Sequence, residues 1–322
     1  MGVMEPSQAW ADPVRPFLDR QGFMVLDGGL ATELEGRGCV LDDRLWSARL
    51  LIDQPGLIRE VHLDYLHAGA DCIISASYQA TIEGFKTSGL DEDDARELLR
   101  RSVDLAQEAR DVFWAATENQ QDRIRPLVAA SVGPYGAYLA DGSEFRGDYD
   151  LSEDQLVEFH QNRWQVLAGA GADLLACETL PALSESRALR RLLEATPGQP
   201  AWFSFSCRDS THLSDGSPLA EAVLELDDCK QIVAIGINCT APHHIAGLVQ
   251  IVRCVTSKPI VVYPNSGEGW DTASKSWIPA DEEAPSLSSS CRAWHDLGAQ
   301  LIGGCCRTGP QDIRQVRRAL FE

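Results

Sequence analysis

The stretch "PGLIREVHLDYLHAGADCIISAS", residues 55–77, contains one complete unit of the fold. Pro55 suits the first turn of a helix, and Leu57, Val61, Tyr65 and Leu66 share one face at helical spacing. Gly69 then stops the helix, and an apolar run over 72–77 follows, short and rich in β-formers. The same order of helix, Gly-Ala step and apolar strand recurs in "RWQVLAGAGAD" (163–173) and "CRAWHDLGAQ" (291–300). The spacing between copies varies, so this is a recurring helix-to-strand junction and not a solenoid repeat.

Reading outward from these units gives eight apolar runs bounded by turn residues: 23–27, 72–77, 126–133, 173–178, 201–207, 232–239, 259–265 and 301–305. Most are continuously apolar, as expected of parallel strands covered on both faces. Eight strand-helix units without a linker-like segment predict an α/β fold, a single-domain (β/α)8 TIM barrel over 1–322, with 1–20 as a lead-in. An open doubly wound sheet is the alternative if one strand assignment fails. Long loops at 37–54, 135–155 and 266–286 follow strands one, three and seven, and so crown one face of the barrel.

Composition narrows the function classes. The chain has 322 residues, 44% of them hydrophobic, and no segment approaches the roughly 18 consecutive apolar residues of a membrane span. Its 48 acidic and 28 basic residues give a net charge of -20, which opposes nucleic acid and anionic membranes as partners. The N-terminal stretch has no basic segment followed by an apolar one, so a cytoplasmic protein is expected. The ten cysteines are too sparse for a disulfide scaffold; Cys72, Cys177, Cys207 and Cys254, in apolar surroundings, read as small buried hydrophobes.

In such a barrel the chemistry sits where strands end, which singles out Asp27, Tyr78, Glu178, Cys239, Asn265, Cys305 and Cys306. "GINCT" (236–240) ends strand six and "LIGGCCRTG" (301–309) ends strand eight. Adjacent residues of a regular strand point to opposite faces, so Cys305 and Cys306 share a ligand only if the strand breaks. Gly303 and Gly304 supply the break, through backbone angles that other residues avoid. Three thiolates make a zinc site, and a catalytic zinc keeps its fourth position for water or substrate. By itself the Cys-Cys pair reads as a vicinal disulfide or two packed thiols, and only the third cysteine, ending another strand, turns the reading toward a metal.

Together, "LDGGLATELE" (26–35), "ASYQAT" (76–81), "ACET" (176–179), "GINCT" (236–240), "YPNSGEGWD" (263–271) and "GGCCRT" (303–308) resemble the homocysteine S-methyltransferases, including the plant type that uses S-methylmethionine. The motifs keep the family's order from near residue 25 to the end. The resemblance implies a zinc-dependent (β/α)8 barrel with Cys239, Cys305 and Cys306 as the zinc ligands. It assigns Asp27 and Glu178 to the homocysteine ammonium, and Gly28 and Gly29, with the amides up to Ala31, to its carboxylate. Tyr78 and Trp46 are candidates for the donor side, where an aromatic face attracts a sulfonium. Read locally, Asp27 caps a helix, Glu178 lies on a surface loop and the two aromatics serve in packing.

The implied reaction is direct methyl transfer from S-methylmethionine, or S-adenosylmethionine, to the zinc-activated thiolate of L-homocysteine, with no further catalytic group. Only 16 residues follow Cys306 (322 − 306), without the extension of betaine-using dimers, so S-methylmethionine and a monomer are expected. Selenocysteine as acceptor and betaine as donor are variants within the family. A non-enzymatic zinc or thiol redox sensor is the rival from another class. A metallohydrolase barrel finds no HxH or HExxH among the seven histidines.

Overall fold

The computed structural model describes residues 11–41, 46–271, 276–278 and 286–322. Eight parallel strands form its main sheet: β1 (Met24–Val25), β2 (Cys72–Ile74), β3 (Leu127–Val132), β4 (Leu174–Leu180), β5 (Ala201–Phe205), β6 (Ile232–Asn238), β7 (Ile260–Tyr263) and β8 (Ala299–Ile302). Their order is β1-β8-β7-β6-β5-β4-β3-β2. The remaining gap closes through a parallel bridge between Leu26 and Cys72, with the Asp71 amide donating to Val25 O at 2.7 Å. The sheet is therefore a barrel, and the doubly wound alternative is excluded.

An outer helix follows each strand: α1 (Pro55–Ala68), α2 (Glu92–Ala115), α3 (Glu153–Ala168), α4 (Leu183–Glu194), α5 (Leu219–Asp227), α6 (Pro242–Val255), α7 (Leu287–Asp296) and α8 (Pro310–Phe321). At the three recurring junctions the glycine is left-handed, with φ of 110° at Gly69, 79° at Gly171 and 113° at Gly298. Only a residue without a Cβ takes that turn cheaply, which is why the same Gly-Ala step recurs.

Side-chain alternation sorts the core into two layers. Leu175 and Cys177 of β4 face the helices, whereas Leu174 and Ala176 face inward with Met24, Trp202, Val261, Tyr263 and Leu301. Continuing the alternation along β4 puts Glu178 on the inward side. Val14 and Phe17, from the lead-in and its short helix Arg15–Gln21, pack on the same inward residues and stop the barrel's floor. Near that floor Asp71 joins Arg123, Arg317 and the Val25 amide, tying β1 and β2 to α8.

Several expectations change. β8 begins at Ala299 and stops at Ile302, so Gly303 to Cys306 form a loop, where a strand over 301–305 was expected. Glu178 lies within β4, not on a surface loop after it. Cys254 is exposed on the last turn of α6, because its apolar sequence neighbours belong to the helix's other face, whereas Cys207, though half-buried, packs against the core. After β3 the long loop folds into a short helix, Tyr135–Leu139, and a turn, Ser143–Phe145; after β7 a hairpin pairs Gly269–Asp271 with Ser276–Ile278.

Candidate metal and substrate site

Cys239 follows β6 directly and has a left-handed backbone, φ 45°, held by its own amide on Tyr263 O at 3.1 Å. Cys305 is held by donation to Pro264 O at 2.8 Å, and the Cys306 carbonyl accepts from the Ser266 amide at 3.0 Å. The chain reverses at Arg307, φ 64°, and Thr308 Oγ1 donates back to Cys305 O at 2.7 Å. These bonds bring the three sulfurs within 4.8 Å of one another. Cys239 Sγ lies 3.7 Å and Cys305 Sγ 4.0 Å from Cys306 Sγ. Those separations are too long for a disulfide, and tetrahedral thiolates at about 2.3 Å from zinc stand about 3.8 Å apart. Hydrogen bonds from Cys239 and Cys305 hold the Cys306 thiol well below its ordinary range.

The glycines beside this cluster act by making room, not by unusual angles. Neither Gly303 nor Gly304 has a positive φ. A Cβ on Gly303 would stand 2.6 Å from Leu26 Cβ, and one on Gly304 would stand 2.2 Å from Thr308 Oγ1. Likewise a Cβ on Gly28 would meet Thr308 O at 2.7 Å, and one on Gly29 would meet Cys305 O at 2.6 Å. The Gly29 amide donates to Thr308 O at 2.9 Å, so it is already used. Tyr65, buried on α1, joins the same two loops through its hydroxyl, 3.1 Å from Gly29 O and 3.0 Å from Thr308 O.

Asp27 is 3% exposed, with Oδ2 accepting from the Ile74 amide at 2.8 Å while the buried Oδ1 has no partner. Burial pushes its carboxyl well above the usual carboxylate range, and the charge of Glu178 adds to this. Glu178, equally buried, is pushed up to about 7 by burial and by Cys305, against the hydrogen bond from Ser131. Its Oε2 accepts from Tyr263 at 3.1 Å, and Tyr263 in turn accepts from Trp202 Nε1 at 3.1 Å. Two desolvated carboxylates near one thiol, one with an unused oxygen, form a receptor for a cation.

Half-buried Tyr78 packs its ring over Gly133, where a Cβ would stand 2.7 Å from it. Burial raises its phenol well above the ordinary value, with Glu144 and Cys239 contributing through charge. The Trp46 side chain lies outside the described residues. Asn265 donates its amide to Thr240 O at 3.3 Å, one residue beyond Cys239. Glu144, on the turn after β3, was not singled out by the sequence. Burial pushes it up to about 7, and its charge reaches both Tyr78 and Cys306. Within the loop 135–155 nothing in spacing or composition separates it from Asp141 or Asp148.

A family model for homocysteine S-methyltransferase matches residues 24–320. The chain belongs to the homocysteine S-methyltransferase family. It is 54% identical to homocysteine S-methyltransferase YbgG of Bacillus subtilis over 95% of this chain and 96% of that protein. The Escherichia coli homocysteine S-methyltransferase is 53% identical, over 95% and 98%. The metallated crystal form of E. coli homocysteine methyltransferase MmuM superposes with a TM-score of 0.85 at 51% identity, covering 95% of this chain and 99% of that one. As a homocysteine S-methyltransferase the chain is an enzyme acting on small molecules, which removes the sensor alternative, and three cysteines able to hold a metal stand at its barrel mouth. Among the described residues no helix of this methyltransferase is long and apolar enough to cross a membrane.

Proposed function

We propose that the enzyme moves a methyl group from a sulfonium, S-methylmethionine first and S-adenosylmethionine second, to the thiol of L-homocysteine, forming methionine. Cys239, Cys305 and Cys306 would hold zinc, whose preferred donors and distances suit a set of three soft sulfurs. When bound, the metal supplies acidity, keeping an acceptor thiol as thiolate near neutral pH. The observation that carries the reading is this three-sulfur cluster beside the partnerless Oδ1 of Asp27.

The chain's own residues do the rest. Asp27 Oδ1 takes one N–H of the homocysteine ammonium, and Glu178, fixed by Ser131 and Tyr263, takes another. A bound ammonium offsets the cost of burying both carboxylates, so substrate entry keeps both ionised. Because the Gly29 amide is engaged, the acceptor carboxylate falls to Gly28 and the amides after Gly29. The Tyr78 ring and the Glu144 carboxylate offer a cation-attracting side for the sulfonium donor. Charge supports this order of events, since the donor's positive charge disappears in the transfer.

The proposal extends to a monomer working in the cytoplasm, with 1–322 as one homocysteine-binding barrel and 1–20 as its lead-in. Its ten free cysteines suit a reducing compartment. The test is a methyl-transfer assay with homocysteine and selenocysteine as acceptors against S-methylmethionine, S-adenosylmethionine and betaine, with zinc counted per chain. Homocysteine turnover with a sulfonium donor and one zinc per chain is expected. Turnover without metal, or with betaine alone, overturns it.

A further inference from the structure

Asn238 and Thr179 form a contact that bridges two strands at one side of the barrel mouth. Asn238 closes β6 and Thr179 lies near the end of β4, with β5 between them in the sheet. The ladder from β4 to β5 runs in register to Cys177 and Phe203 and resumes only at Leu180 and Phe205. Glu178 and Thr179 occupy that irregularity, and Thr179 has a left-handed backbone, φ 58°. In place of a strand partner, the Thr179 amide donates to Asn238 Oδ1 at 2.7 Å, while Asn238 Nδ2 donates to Thr179 Oγ1 at 2.7 Å. Both residues are buried, at 0% and 2% exposure, so no water competes for the pair.

Each end of this clamp adjoins a group of the site. Thr179 follows Glu178, and Asn238 precedes Cys239, whose backbone is also left-handed. Left-handed backbone at two non-glycine residues persists only where the surroundings over-determine it. A carboxamide is the side chain that accepts and donates at once at this reach; aspartate lacks the donor and alanine lacks both.

We infer that Asn238 is a positioning residue which, through Thr179, sets the span between the Glu178 carboxylate and the three-sulfur cluster, and thereby the acceptor length the site accepts. This rests on the acceptor reading proposed above. A thiol amino acid whose ammonium and sulfur must reach two fixed points is measured by their separation. Homocysteine and cysteine differ by one methylene, so a loosened clamp blurs that distinction.

The test uses the zinc-loaded full chain and Thr179→Val, which removes only the hydroxyl, beside Thr179→Ser, which keeps it. Zinc per chain, KM and kcat for homocysteine, and the preference for homocysteine over cysteine are measured for each. Thr179→Val is expected to retain its zinc, raise the homocysteine KM about tenfold with a smaller change in kcat, and lower the acceptor preference. Thr179→Ser is expected to restore both. Asn238→Asp should follow Thr179→Val with a larger effect. The inference is overturned by wild-type KM and preference in Thr179→Val, by a KM rise that Thr179→Ser shares, or by loss of zinc from Thr179→Val. Absence of homocysteine turnover in the unaltered zinc-loaded chain would instead sink the underlying reading.

Discussion

Although 67 residues separate them in sequence, the Sγ atoms of Cys239 and Cys306 stand 3.7 Å apart. Cys239 comes from the end of β6 and Cys306 from the loop after β8, so their meeting depends on the whole barrel closing. Replacing one of them tests the metal site without disturbing the fold. Cys306→Ser should stay folded by circular dichroism, lose its zinc and lose methyl transfer with it. Full activity in a zinc-free variant would refute the assignment.

Asp27 supplies the second prediction. Asp27→Asn keeps shape while removing the charge that an ammonium needs, and losing one partner of a buried ion pair costs about two orders of magnitude in affinity. The homocysteine KM should rise accordingly with zinc content unchanged. Since burial disfavours the ionised carboxyl, the acceptor-free variant should also unfold at higher urea than the parent at neutral pH. An unchanged KM would remove Asp27 from the pocket.

Gly29 lies against the loop that bears the cysteines. In Gly29→Ala the added methyl meets Cys305 O at 2.6 Å, so one of the two loops must retreat. The expected result is weaker metal retention, read as faster loss of zinc to a competing chelator, in a chain that keeps its secondary structure. Wild-type retention would show that the loops absorb the methyl.

His62 contributes to acid sensitivity, alongside His160, whose pKa burial likewise lowers to about 4. His62 is fully buried on α1 with no partner for either ring nitrogen, and burial lowers its pKa to about 4. The unfolded chain binds a proton near pH 6.5 that the folded chain refuses until about pH 4. The part of the stability that depends on His62 is therefore complete above pH 6.5 and declines as the pH falls toward 4, by about 3 kcal/mol. Urea unfolding of His62→Phe across that range should show a correspondingly shallower decline. Parallel curves for parent and variant would rule the group out.

The barrel was legible because its signals are local. Apolar runs, Gly-Ala junctions and helical faces each report on a few neighbouring residues, and the Cys-Cys pair stood out against a chain without metal-binding spacings. Contacts between distant positions left no such mark. Nothing near Asn238 announces Thr179 as its partner, and Glu144 resembles any acidic loop residue. The glycines at 303 and 304 were visible, but their purpose was misread, since sequence shows where a side chain is missing and not what occupies its space. Glu178 was singled out as a strand end, but local sequence offered a surface loop just as well, because the irregularity in β4 extends that strand past the point where its apolar run ends.

Val14 and Phe17 cork the barrel from below. Whatever reaches the mouth from solution must therefore depart through the same doorway. Under the reaction proposed above, acceptor and donor would have to share that one opening, so the order in which they come and go becomes part of the chemistry.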